Sequence, residues 1–184
     1  MKFYIVSDNY IRHLKSVDEK VRENKGKRPY IGVVFEVNGV EFLAPLTSYK
    51  AKHDNIPDAF PLIFKMHELG NETNKLGMVQ LNNMVPVLSS ERVLLDLSTL
   101  DSKYRNLLNL QQQYLRKHKE DLQKRANKLY QIVSKGHAKG LINNCCDFQL
   151  LETAMKSYAS QVNQPASQEQ LTALTKMFTK DKKL

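Results

Sequence analysis

Tyr30-Ile31-Gly32-Val33-Val34-Phe35-Glu36-Val37, then Asn38-Gly39, then Val40-Glu41-Phe42-Leu43-Ala44-Pro45: this stretch decides the fold. Two apolar, β-branched runs flank an Asn-Gly pair. A two-residue type I′ turn needs positive φ at both central positions, which Asn and Gly tolerate best, so the stretch predicts a β-hairpin. Upstream, Met1 to Ser7 alternates Phe3 and Ile5 with Tyr4 and Val6 and predicts a strand. Ser7 or Asp8 then caps a short helix with Tyr10, Ile11, Leu14 and Val17 on its apolar face. From Asp18 to Arg28 apolar residues almost vanish, predicting a basic loop. Downstream, Ala59 to His67 and Gly77 to Leu88 read as further strands, the first with an edge position because of Pro61. Strands first and helices afterwards imply an α+β fold, an antiparallel sheet with helices gathered on one side.

The helical half is legible in one stripe. Tyr104, Leu108, Leu115, Leu122, Ala126, Leu129 and Val133 recur near the helical period, and no Pro falls between 87 and 164. They predict a long helix, broken at most once, that ends near Gly136 or Gly140. Asp147 is placed to cap a last helix carrying Phe148, Leu150, Leu151, Ala154 and Met155. Residues 160–184 are polar, contain Pro165 and read as a tail that can be helical, beyond a single domain of residues 1–159.

Charge narrows the partner. Across 184 residues, 28 Lys and Arg face 19 Asp and Glu, a formal charge of +9. An excess of this size points to a polyanion, usually nucleic acid. It is concentrated: residues 103–139 hold ten basic side chains against only Glu120 and Asp121, and residues 1–28 hold eight against four. A face kept only for solubility interleaves both signs. Arg116, Lys117, Lys124 and Lys128 fall off the apolar stripe and are candidate RNA contacts. Cys145 and Cys146 are adjacent and frame neither a disulfide scaffold nor a zinc site, so they read as reduced thiols. No apolar run is long enough for a membrane span, and the opening turns polar too soon for a signal peptide, so a cytoplasmic protein without a membrane partner is expected.

No Gly-rich phosphate loop, HExxH or Gly-x-Ser-x-Gly is present, and no paired carboxylates suit two-metal chemistry in the basic segments. Any catalysis is expected to be metal-free and without a cofactor. The most reactive run is Thr47-Ser48-Tyr49-Lys50-Ala51-Lys52-His53, two hydroxyls, two ammonium groups and an imidazole just past the second hairpin strand. A strand end feeding a loop is a common place for a site, although Thr and Ser there can equally serve local hydrogen bonds. These groups suit RNA cleavage by internal attack of the 2′-hydroxyl on its own phosphate, which needs alignment, charge stabilisation and a proton donor for the leaving 5′-oxygen. Thr47 and Ser48 can hold phosphate oxygens. Lys50 and Arg28 can stabilise the developing charge, and Lys50 is the better acid because Arg does not titrate. A non-catalytic RNA-binding module is the competing reading, and a DNA-binding repressor lacks a helix-turn-helix pattern.

The residues also carry a resemblance. Met1-Lys2-Phe3-Tyr4 with Tyr10, Tyr30-Ile31-Gly32-Val33-Val34, Leu43-Ala44-Pro45-Leu46-Thr47-Ser48 with Lys50 and His53, Lys65 to Glu68, Leu76-Gly77, Met84-Val85-Pro86, Leu94-Leu95-Asp96-Leu97 and Cys146-Asp147-Phe148 with Leu150-Leu151-Glu152 resemble, in order, the ToxN/AbiQ toxins of type III toxin-antitoxin systems. The resemblance spans roughly residues 1–155. It implies a compact, strongly curved antiparallel sheet like that of Kid/MazF toxins, with the long basic helix packed around it. It implies a metal-independent endoribonuclease that leaves 2′,3′-cyclic phosphate and 5′-hydroxyl ends and arrests phage-infected cells. The implied partners are a repeat-derived pseudoknot RNA antitoxin, which the enzyme processes and which inhibits it in a closed RNA-protein assembly, and cellular or phage RNA as substrate. Carried over by position, Thr47, Ser48 and Lys50 fall on the active-site threonine, serine and lysine, Tyr10 on an N-terminal tyrosine and His53 on a nearby histidine. Arg28 stands where the family pattern has a lysine, with Lys27 beside it; Arg28 can stabilise phosphate but cannot shuttle a proton, which leaves that role to Lys27 or Lys50.

Overall fold

The structure is a computed structural model that describes residues 1–23, 30–136 and 138–162. The hairpin forms as its turn requires: β2 (Tyr30–Val37) and β3 (Val40–Thr47) pair from Val37↔Val40 to Gly32↔Pro45. Asn38 and Gly39 take φ of 51° and 77°. β1 (Phe3–Val6) lies on the other side of β2, and β7 (Arg92–Leu94) on the far side of β1. The other edge of β3 is shared. Phe42 and Leu43 pair with β6 (Val85–Pro86), and Leu46 and Thr47 pair with β5 (Asn71–Gln80), which pairs in turn with β4 (Ile63–Glu68). The result is a seven-stranded antiparallel sheet in the order β4-β5-β3-β2-β1-β7, with β6 beside β3.

Among the described residues, five helices complete the α+β fold: α1 (Asp8–Val17), α2 (Ser102–Lys117), α3 (Lys119–Ser134), α4 (Lys139–Ile142) and α5 (Phe148–Val162). Ser7 caps α1 by accepting from Tyr10 N, and Asp147 accepts from Leu150 N at the start of α5. α2 lies against β4 and β5, α3 against β2, and α5 against α1 and β6. Leu108, Leu115, Leu122 and Leu129 are at most 1% exposed. Each such leucine stabilises by roughly 1.5–3 kcal/mol relative to exposure. Phe42, at 0% exposure, sits against Tyr130 and Phe148 at ring-centroid distances of 5.9 and 6.0 Å.

The apolar stripe therefore runs as expected, but through two helices. His118, at φ −107° and ψ 23°, separates α2 from α3, and α3 starts with Glu120 and Asp121 in its first turn, where carboxylates complement the helix dipole. No Pro or Gly marks that break. Tyr104 leaves the stripe and is 38% exposed. Gly136, at φ 70°, follows the end of α3 as expected.

The strand bounds shift. β4 begins at Ile63, beyond Pro61, because residues 57–62 turn. β5 begins earlier than Gly77, in the polar run Asn71-Glu72-Thr73-Asn74-Lys75, which has no apolar alternation and is held by a two-residue turn at Leu69-Gly70. The expected strand to Leu88 breaks at a 3₁₀ turn, Leu81–Asn83. The loop expected from Asp18 begins tied down: Asp18 is 8% exposed and its carboxylate accepts from Asp147 N at 2.7 Å and Lys20 N at 3.0 Å, joining the end of α1 to the start of α5. α5 extends to Val162, three residues into the expected tail; the rest of that tail lies outside the described residues.

A candidate active site at the end of β3

One irregularity shapes the sheet where the reactive run begins. Met66 pairs with Gly77 but His67 pairs with Lys75, so Leu76 is an extra residue on β5, a β-bulge. Leu76 is buried, and its carbonyl accepts from the Nε2 of Gln111, a buried side chain of α2, at 2.6 Å. Gly77 takes φ +134°, which L side chains rarely adopt. A Cβ there would stand 2.8 Å from the Thr47 carbonyl oxygen and 3.0 Å from Gln111 Nε2. The bulge, the missing Cβ and the glutamine together seat the last residue of β3.

Beyond Thr47 the chain turns outward. Thr47 is half-buried, Ser48 and Lys50 are exposed, and a 3₁₀ turn spans Ala51–His53. The Lys50 backbone N–H donates to His53 Nδ1 at 3.0 Å, and His53 N–H donates to the Lys50 carbonyl at 2.8 Å. This reciprocal pair fixes the Lys50 backbone. Because Nδ1 accepts, the bond exists only for the neutral imidazole, whose proton then sits on Nε2. Desolvation, with the Lys52, Lys50 and Lys65 charges, holds the His53 pKa below its ordinary 6.5, so the neutral form is favoured.

Tyr49 organises a second layer. Its hydroxyl donates to Asp54 Oδ1 at 2.7 Å, its ring meets His53 edge-on at 5.7 Å, and Lys75 Nζ lies 4.9 Å from its centroid. Lys75 also pairs with Asp54, and this pair with the Tyr49 hydrogen bond keeps the Asp54 carboxyl below the usual carboxylate range. Lys65, whose side chain is 8% exposed, donates to the Ile56 carbonyl at 2.5 Å, pairs with Asp58 at 3.1 Å and stands 6.0 Å from the Tyr49 centroid. The sheet register brings these together: Thr47 opposes Met78, and Met78 opposes Lys65. Sequence reading did not assign Lys65, Lys75, Tyr49 or Asp54 to the site. A lysine between Phe64 and Met66 in an alternating strand was a signal for Lys65; Lys75, in the polar start of β5, gave none.

The other candidates spread out. Tyr10, matched by the resemblance to an N-terminal tyrosine and a candidate RNA contact, is a core residue: it is 0% exposed, its hydroxyl donates to the Pro86 carbonyl at 2.9 Å, and its ring meets Tyr158 edge-on at 5.0 Å. Burial raises its pKa, with Glu91 adding to the effect. Lys52 is exposed beside His53. Arg116 and Lys117 are exposed at the end of α2, and Lys124 and Lys128 are exposed along α3, where they line a shallow groove with Lys119 and Gln123. Lys27 and Arg28 lie outside the described residues; β2 itself begins at Tyr30, the end of the hairpin from which Thr47 emerges.

Comparison with known proteins supplies the lineage. The family model described as toxin ToxN, type III toxin-antitoxin system, matches residues 2–156. The endoribonuclease ToxN of Pectobacterium atrosepticum is 34% identical over 167 residues, covering 88% of this chain and 95% of that one. A solved structure described as a type III toxin selectively inhibited by a non-coding RNA pseudoknot aligns with a TM-score of 0.74 at 30% identity, over 86% of this chain and 97% of that one. The structure of AbiQ, a lactococcal anti-phage endoribonuclease, aligns with a TM-score of 0.77 at 27% identity, over 86% and 98%. With the family model matching residues 2–156 and a curated relative 34% identical over 88% of its length, the chain belongs to the ToxN family of toxins from type III toxin-antitoxin systems.

Proposed function

We propose that this chain is an endoribonuclease toxin that cuts RNA through its own 2′-hydroxyl, without a metal ion, leaving a 2′,3′-cyclic phosphate and a 5′-hydroxyl. The observation that carries the reading is the Thr47-Ser48-x-Lys50 loop, anchored by the His53 pair and framed by Lys65 and Lys75, in a member of a family whose relatives are named endoribonucleases. Thr47 and Ser48 hydroxyls orient the scissile phosphate. Lys50, with Arg28 or Lys27 from the residues preceding β2 in sequence, stabilises the charge that grows on the phosphorane. The 2′-hydroxyl loses its proton to water as its oxygen bonds to phosphorus and the bond to the 5′-oxygen breaks, and the Lys50 ammonium gives that leaving oxygen a proton. His53, with Nδ1 engaged by the Lys50 backbone, positions Lys50, and its Nε2–H is left to contact RNA.

The basic surfaces fit the second half of the reading. Lys52, Arg116, Lys117, Lys124 and Lys128 present charge to an RNA backbone, and a repeat-derived pseudoknot RNA antitoxin lying on them covers the loop and blocks substrate. The toxin processes that precursor, the inhibited form is a closed RNA-protein assembly, and release in the cytoplasm during phage infection aborts growth of the cell. Incubation of the purified chain with RNA in EDTA, followed by mapping of both new ends, tests the chemistry. Cyclic phosphate and 5′-hydroxyl ends are expected, and Lys50→Ala or Ser48→Ala should abolish cutting in a folded protein. A requirement for magnesium, 5′-monophosphate ends, or binding without product refutes it.

A further inference from the structure

Beside the Tyr49 cluster lies a cavity of about 300 Å³ that the chemistry above does not use. Four aromatic rings line it, Phe64 and a column of three. His67 of β4 faces Tyr114 of α2 at a centroid distance of 6.3 Å and an interplanar angle of 22°, and Tyr114 stacks on His118 at 4.3 Å and 29°. All three are half-buried, so their packing holds them while one surface stays open. Tyr114 and His118 share a helix face because they are four residues apart. The break between α2 and α3 falls at the second of these rings.

Charge around the cavity is mixed, with four carboxylates against three lysine and arginine side chains, unlike the basic surface of α3. Asp58 pairs with Lys65 at 3.1 Å, Asp121 pairs with Arg125 at 3.0 Å, and Arg125 lies over the Phe64 ring at 5.1 Å. Glu68 and Glu72 add two more carboxylates, and Lys117 one more cation. Carboxylates repel phosphate but accept hydrogen bonds from ring N–H and amino groups. A half-buried ring column with carboxylate acceptors at its rim suits a flat, neutral heterocycle carrying N–H donors. From this arrangement we infer that the His67-Tyr114-His118 column is a stacking subsite for one unpaired, amino-bearing nucleobase of the RNA. Lys65 ties it to the active loop, since the same ammonium meets Asp58 in the cavity and stands 6.0 Å from the Tyr49 centroid. The subsite thus takes a base close to the scissile phosphate and contributes to sequence preference at that position. It rests on the RNA-cleaving reading.

The test uses the full chain and a short RNA spanning a site that the wild-type protein cuts. His118→Ala should raise KM about tenfold with kcat within about twofold, the loss of one stacking contact, and His118→Phe should restore KM. In a 2′-O-methylated copy of that RNA carrying 2-aminopurine at each position in turn, one position should be quenched by the wild type and by His118→Phe but not by His118→Ala. The subsite is overturned if His118→Ala leaves KM and every quenching profile unchanged. It is also overturned if the loss comes with a lowered melting temperature and Phe does not rescue it, the mark of a purely structural ring. If the wild-type chain cuts RNA but no position is quenched, the subsite alone fails. If the wild type neither cuts nor binds RNA, the functional reading fails and the subsite with it.

Discussion

Gly77→Ala tests whether the bulge in β5 seats the active loop. The substitution places a methyl group 2.8 Å from the Thr47 carbonyl oxygen and 3.0 Å from Gln111 Nε2, on a residue at φ +134°. Holding a non-glycine residue in a sparsely populated backbone region costs about 1–3 kcal/mol. Overpacking adds about 1–3 kcal/mol. The stiffer unfolded chain returns about 0.4–1 kcal/mol. The net expectation is a loss of roughly 2–4 kcal/mol, which for a chain of this size lowers the melting temperature by roughly 5–15 °C. The Gln111 amide can swing aside, but the closer contact is to the Thr47 backbone and is relieved by displacing β3 there, so the cutting rate should also fall, by at least about tenfold for a shift of a fraction of an ångström. Gly39→Ala is the control: its φ is +77° but no atom lies within 4 Å of the new Cβ, and it sits at the opposite end of the hairpin from Thr47. It should be destabilised without a matching kinetic defect. Thermal melts, and single-turnover cleavage well below both transitions, read the two effects. The reasoning fails if Gly77→Ala melts close to wild type, or if its rate in the folded state equals that of Gly39→Ala.

Protonation of His53 removes the acceptor for the Lys50 N–H, so cutting should fall on the acid side with a midpoint below 6.5, the ordinary imidazole value. The same depressed pKa means that the unfolded chain takes up the proton first as pH drops through 6.5, so this residue's contribution to stability declines there; an acid limb centred at or above 6.5 contradicts both statements. Burial pushes the Cys145 thiol up to about 11 and the Cys146 thiol to about 12, so alkylation at neutral pH should be slow in the native protein and fast in denaturant, which mass spectrometry can follow. Lys124→Glu with Lys128→Glu should weaken binding of the inhibitory RNA and flatten its salt dependence by about 0.7–0.9 per lost phosphate contact while leaving cleavage of a short substrate nearly intact. Equal loss of both in filter-binding and cleavage assays would refute a separate gripping surface.

The elements legible in the sequence are those with strong local signatures: the Asn38-Gly39 turn, the Ser7 cap, the leucines at 108, 115, 122 and 129, and the Asp147 cap. The start of β5 was hidden because Asn71 to Lys75 are all polar and are held in a strand by the turn and by β4. Tyr10 is instructive. Helical spacing groups it with Ile11 and Leu14, the resemblance matches it to an N-terminal tyrosine, and in the structure it is buried with the other two. Thr47, Ser48, Lys50 and His53 were visible as one run because they are neighbours in the chain. Lys65 and Lys75 join them only through cross-strand register and a bulge, which depend on pairings that no local pattern specifies.

β3 is hydrogen-bonded to three strands, β2 along one edge and β6 then β5 along the other, and the candidate active loop leaves directly from its last residue. Amide protons of such a strand exchange only when most of the sheet opens at once. Local fraying therefore gives the cell no dial for lowering this activity by degrees. An RNA laid over the loop is expected to quiet it with the sheet intact.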